Sequence, residues 1–228
     1  RWVSSNLGYA IGPSFINPRT GQILGADITI DFGLFRHSVF EDETYNAFNG
    51  TYLDEALAMN PYVARHANCS IGRALKAMQA SAVAMVEALD PSADELGNLK
   101  SQFLTFLILH EMGHTMGLNH NMKSSHMLSP EELRDKEITR KLGVTGSVMD
   151  YPVTNMSYDR SMQADYYTTK TGPYDWWAIE FGYRQFDPEK EDEGLAMICA
   201  KSNDPKHIFG NDADITFPGR GIDPRVMI

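Results

Sequence analysis

The sequence predicts an α+β domain, on three observations. The first thirty-five residues carry short β-rich runs cut by turn residues, and from Ile71 the apolar spacing changes to that of a helix. Near the middle, a nearly all-apolar helical stretch runs straight into a cluster of histidines. At 228 residues, 43% hydrophobic and 22% charged, the chain fits one globular domain, or one domain in two lobes, with a sizeable core.

The β-rich runs are "YAIGPSF" and "QILGADITIDF", with "NPRTG" between them as a turn. In "GADITID" the apolar Ala26, Ile28 and Ile30 alternate with polar residues, as a half-buried strand requires. Residues 36–69 read as loop and short helix, broken at Gly50 and Pro61. Ile71, Ala74, Leu75, Met78, Ala82, Met85, Val86 and Leu89 then share a helix face, which Asp90 and Pro91 end. A Met and Leu stripe at that spacing reads as core, not as a cofactor site.

The stretch from Ser101 to Met116 is apolar nearly all round and predicts a helix buried in mid-fold. "SPEE" starts the next helix, with Ser129 as cap, Pro130 at the first position and Glu132 three residues on; it should stop near Gly143. A last helix follows "GPYD", with Asp175 as cap and Trp176, Ile179 and Phe181 packing. From about Ser202 the tail is Gly-, Asp- and Pro-rich and should be irregular.

A net charge of −10 argues against nucleic acid, since nothing would neutralise phosphates. No run of Lys or Arg suggests a basic membrane patch, and no apolar run is long enough to span a bilayer. The chain opens at "RWVSSN" without an initiator Met, which suggests a piece of a longer precursor. Cys69 and Cys199 are either a disulfide or two buried thiols, and neither has the close spacing of a thiolate zinc site. Sequons at Asn49, Asn68 and Asn155 matter only if a eukaryote secretes the protein. His37, His66, His126 and His207 lack ligand-like spacing, and the acidic runs "EDET" and "EKEDE" lack a calcium-loop pattern.

The chemistry sits in "HEMGHTMGLNH", His110 to His120. His110 and His114 are four residues apart, so on a helix both imidazoles face one zinc ion. Glu111 projects beside the metal, placed to take a proton from a water on the zinc. A continuous helix would carry His120 away; Gly117 can adopt positive φ, end the helix and let His120 return from a loop. Three protein ligands leave a fourth position open, as in catalytic rather than structural zinc. Ordinary core or surface histidines are the competing reading. Five specified residues over this span arise by chance in on the order of one such chain in 10⁵, which favours the zinc site.

The pattern H-E-x-x-H-x-x-G-x-x-H resembles the metzincin metallopeptidases, whose second mark is a methionine turn. "SVMDY" supplies one, with Met149 as the turn methionine, which the resemblance makes a packing floor beneath the zinc and not a ligand. "GHTMGLNHNMKSS", with "SVMDYP", "NPRTGQILGADI" and "GPYDWWAIEFGY", is most similar to the bacterial domain family called Met-zincin, found in large zinc-dependent metalloproteases. Asn121, after the third histidine, differs from the best-known metzincin branches.

The resemblance implies a two-lobed catalytic domain over residues 1–228, with a twisted mixed sheet and the buried zinc helix in an upper lobe to about Gly117. A lower lobe from about residue 118 would carry the Met-turn, with zinc in the cleft between. Metzincin domains usually open with a strand and a long helix. Here strands come first, so either those elements lie upstream or this branch rearranges them. A tyrosine at the position of Tyr151 approaches the zinc in astacin- and serralysin-like members and could stabilise the oxyanion, the alternative being a ring packed beside the turn. Asp150 would position a neighbouring backbone or histidine, and residues 150–153 would line the pocket beyond the scissile bond. "YAIGPS" would be the sheet edge that pairs with an extended substrate, and Pro13 suits an edge.

The expected activity is zinc-dependent endopeptidase, acting on peptide or protein in a secreted or periplasmic setting as part of a larger polypeptide. Two other classes stay open: a zinc-containing peptide- or protein-binding domain without activity, and a zinc hydrolase of non-peptide amides.

Overall fold

The computed structural model describes residues 1–4, 10–31, 81–86, 88 and 93–211. The readings made on residues 36–69, the first half of the helix face that begins at Ile71, Cys69, Asn49, Asn68, His37, His66 and "EDET" lie outside them. Two compact units emerge, one drawn from 1–11 and 28–96 and the other from 12–27 and 97–228.

In the first unit, β5 (Thr29–Asp31) is flanked by β1 (Trp2–Val3) and β2 (Ala10–Ile11). The pairing is mixed: β1 runs parallel, with Trp2 opposite Ile30, and β2 antiparallel, with Ala10 opposite Ile30. Residues 81–86 are helical, as the periodicity predicts, and Ala82, Val83 and Val86 are its buried side.

The second unit contains a hairpin of β3 (Ser14–Ile16) and β4 (Ile23–Ala26), joined by the predicted "NPRTG" turn. Gly21 has φ +73, and its N–H closes the turn onto the Asn17 carbonyl at 2.8 Å. "GADITID" is not one strand. β4 stops at Ala26, the next residue still donating its N–H to the Pro13 carbonyl at 3.2 Å, and β5 begins at Thr29 in another sheet. Only Ile30 of the alternating set is fully buried.

Helix α1 (Ala93–Thr115) begins eight residues earlier than its apolar run. Leu99, Phe103, Phe106 and Leu107 are buried, whereas Ile108, Met112 and Met116, at i, i+4 and i+8, are exposed. The helix is therefore buried on a broad face and not all round. Buried Gln102 fastens it to the chain downstream: its carbonyl accepts from the Tyr166 and Tyr167 N–H groups, and its amide donates to Asp165 at 3.0 Å.

The reciprocal Ser129–Glu132 cap forms as predicted, at 2.8 and 3.2 Å. It opens a 3-10 turn at Glu132–Arg134, and helix α2 (Lys136–Leu142) restarts with Asp135 as its own cap. The stop comes at Gly143, φ +88. Helix α3 (Pro173–Tyr183) is capped by Gly172, with Asp175 inside its first turn. Trp176 and Phe181 are exposed; Tyr174 and Asp175 are the residues this helix buries. A further helix, α4 (Glu191–Cys199), follows, so α3 is not the last. Its acidic first turn, part of "EKEDE", is solvent-exposed and favourably placed against the helix dipole. The segment after Ser202 includes a 3-10 turn at Pro205–His207. Cys199 is exposed and therefore not a buried thiol. The Asn155 carboxamide donates to the Leu133 and Asp165 carbonyls, so this sequon asparagine is used internally. No helix among the described residues is long and apolar enough to cross a membrane.

Candidate metal centre and active site

The last turns of α1 present His110 and His114 on one side, their rings edge to face at 4.8 Å. Gly117 has φ +86, the left-handed conformation expected of it, and the helix ends there. The chain doubles back, and His120 arrives with Nε2 3.0 Å from His114 Nε2. One ligand atom from each of the three rings lies within 4.8 Å of the others.

Backbone carbonyls orient the two helix histidines. His110 Nδ1 donates to Val148 O at 2.8 Å, and His114 Nδ1 to Leu118 O at 3.1 Å, which turns both Nε2 atoms inward. His110 is 1% exposed, and among the described residues its Nε2 has no hydrogen-bond partner. An orphaned buried nitrogen is costly unless something binds it. Two nitrogens on one tetrahedral zinc lie about 3.3 Å apart, close to the His114–His120 separation. The donor set and its outer carbonyls fit a metal ion.

Burial, and then the neighbouring imidazoles of His114 and His120, hold the His110 pKa down at about 3, so the ring is neutral at physiological pH. Glu111 is also buried, and desolvation raises its carboxyl to about 7, partly offset by a hydrogen bond from the Gly12 backbone. That contact depends on a glycine. A Cβ on Gly12 would fall well below 3.0 Å from the Glu111 carbonyl oxygen and 3.2 Å from its Cα, so only Gly brings this link between β2 and β3 so near the helix.

Met149 is fully buried in a turn. It lies against Gly113, where an added Cβ would overlap its Sδ. The turn is held from below by Asp175, which accepts from Ser147 Oγ at 2.6 Å, Val148 N–H at 3.0 Å and Gly172 N–H at 2.7 Å. Gly172 can approach because a Cβ there would collide with the Gly146 backbone. Asp175 thus reaches His110 through Val148. Its own pKa is raised by burial, against the pull of those three donors. Asp150 accepts from Ser124 at 3.0 Å, Ser125 at 2.5 Å and the Tyr151 N–H at 2.7 Å, so it positions backbone and two serines.

Tyr151 joins the cluster: its hydroxyl is 2.9 Å from His120 Nε2, and its ring lies 4.8 Å from that of His110. Of the other described histidines, His126 is exposed and His207 lies against Trp177. The sequence reading passed over Gly12, Gly113, Ser124 and Ser125. A glycine inside an otherwise continuous helix is the one signal that could have found Gly113.

A model of the family described as Met-zincin matches residues 92–228. The chain belongs to the Met-zincin family. The match takes in the tail after Ser202 and does not reach "NPRTGQILGADI", so the likeness noted in that N-terminal run is not part of it. No curated protein and no solved structure matches the chain. Within the Met-zincin match lie all three histidines, Glu111, Met149 and Tyr151.

Proposed function

We propose that this Met-zincin chain is a zinc-dependent endopeptidase of the metzincin type, with a single catalytic domain over residues 1–228. The observation that carries the reading is the convergence of three imidazoles, with the buried His110 Nε2 unpartnered among the described residues and the buried Glu111 carboxyl next to it in the chain. His110, His114 and His120 hold the ion, and Gly117 and Met149 shape its surroundings. A bound zinc ion supplies a Lewis acid for the scissile carbonyl and makes the attacking water more acidic. Glu111 takes the water's proton and returns it to the leaving amine, and burial, which raises its carboxyl to about 7 in the metal-free chain, favours its holding that proton. The Tyr151 hydroxyl, already at the cluster, donates to the developing oxyanion. The proposed setting is secreted or periplasmic, within a larger polypeptide.

The test compares wild type with Glu111→Ala on a mixed peptide library read by mass spectrometry, at matched zinc content. Cuts made only by the wild type support the reading and give the side-chain preference. If both proteins hold one zinc and neither cuts, the endopeptidase reading is wrong and a binding role takes its place. Cleavage of small non-peptide amides alone would move the chain to the third class.

A further inference from the structure

The segment from His207 to Gly210 is fastened at each step to the protein beneath it. The His207 ring stacks on Trp177 at 5.8 Å, and Phe209 stacks almost parallel on Tyr174 at 5.6 Å. The buried Gly210 donates its N–H to Asn121 Oδ1 at 3.1 Å and accepts from the Met122 N–H at 2.8 Å. Asn121 Nδ2 in turn donates to the Ile208 carbonyl at 2.9 Å. Both ends of one carboxamide therefore grip the same strap, while the Asn121 backbone N–H donates to Met149 O at 2.9 Å.

Asn121 directly follows His120. The loop from Gly117 to His120 has no regular structure of its own, so its course is set by its anchors: the helix end on one side and Asn121 on the other. Asn121 is fully buried, and water cannot replace its bonds. An aspartate of the same shape keeps the acceptor for Gly210 but turns an oxygen toward the Ile208 carbonyl. A serine is too short for both contacts.

We propose that Asn121 is a positioning residue for the third histidine, and that the 207–210 strap acts through it to set the metal affinity of the site. This rests on the reading of the three histidines as a metal centre.

The full chain is made as wild type, Asn121→Asp, Phe209→Ala and the double variant, with Leu99→Ala, about three helical turns before His110 on α1, as a buried control. Zinc affinity is measured by competition with a chromophoric chelator, ligand geometry by the visible bands of the cobalt(II) form, and loop order by hydrogen exchange over residues 118–122 without metal. Asn121→Asp should weaken zinc about 10–100-fold, shift the cobalt bands and speed the exchange. Phe209→Ala should do the same to a smaller degree, and the double variant should be no worse than Asn121→Asp, because both act through one strap. Leu99→Ala should leave the cobalt bands unchanged. If wild type binds one zinc and both strap variants match it in affinity and spectrum, the proposal is overturned and the metal reading stands. If wild type binds no zinc, the metal reading fails; unaltered exchange in both variants would then overturn the clamp as well. Phe209→Ala keeps the test decisive should Asn121→Asp not fold.

Discussion

Gly97→Ala and Gly113→Ala should move stability in opposite directions, though both lie in α1. Replacing an interior helix glycine by alanine gains about 1 kcal/mol of propensity wherever the methyl group fits. At Gly97 an added Cβ meets nothing within 4 Å, so the full gain should appear. At Gly113 the same Cβ would fall well below 3.0 Å from Met149 Sδ, and 3.5 and 3.6 Å from its Cγ and Cε. The sulfur sits mid-chain in a side chain that is 0% exposed, with no solvent to swing into. Overpacking of that kind costs about 1–3 kcal/mol, so Gly113→Ala should be neutral to about 2 kcal/mol destabilising. The difference between the two variants, in which propensity cancels, should be about 1–3 kcal/mol. Urea titration of the metal-free proteins measures it as a shift in midpoint at constant slope. A second arm identifies the cause. Met149→Ala alone should cost about 2–5 kcal/mol, and in that background Gly113→Ala should become neutral or favourable. Equal stabilisation by both alanines, or a Gly113 effect untouched by Met149→Ala, would refute the close-packing argument.

Asp175→Asn turns an amide toward three buried donors and should cost about 2–3 kcal/mol; it should also weaken zinc, because Val148 would no longer be held for His110, and calorimetry with titrated zinc reads both. Tyr151→Phe should keep the metal and lower kcat about 100-fold with little change in KM, as expected of a group acting only on the developing charge; steady-state kinetics on a library-derived peptide checks it. In metal-free protein, stability linked to His110 is complete above pH 6.5 and is lost as pH falls toward about 3, because the unfolded ring takes up a proton the folded one refuses. Glu111 works the other way: its folded carboxyl keeps a proton the unfolded one releases, so stability falls as pH rises from 4.5 to about 7. The two oppose each other between pH 4.5 and 6.5. Glu111→Gln should therefore make stability climb more steeply with pH there than in wild type, as read from urea midpoints at several pH values.

The site was legible where one local rule decided the outcome. Four-residue spacing put His110 and His114 together, and a glycine at 117 brought His120 back with φ +86. The reciprocal Ser129–Glu132 cap and the stop at Gly143 were equally local. What escaped depended on partners distant in the chain. Asp175 looks like a cap, yet it sits inside its helix, where its carboxylate accepts from the Ser147 hydroxyl and the Val148 N–H. The alternation in "GADITID" suggests one strand, yet Gly25 and Ala26 pair with β3 while Thr29, Ile30 and Asp31 pair with β1 and β2, all of them distant partners that local periodicity does not reveal. The role of Asn121 became visible only once residues 208–210 were seen against it, nearly ninety positions on.

Because the Val148 carbonyl can only accept, His110 carries its proton on Nδ1 and its lone pair on Nε2. With the ring unprotonated down to about pH 3, an arriving cation neither displaces a proton from His110 nor waits for a tautomer to exchange.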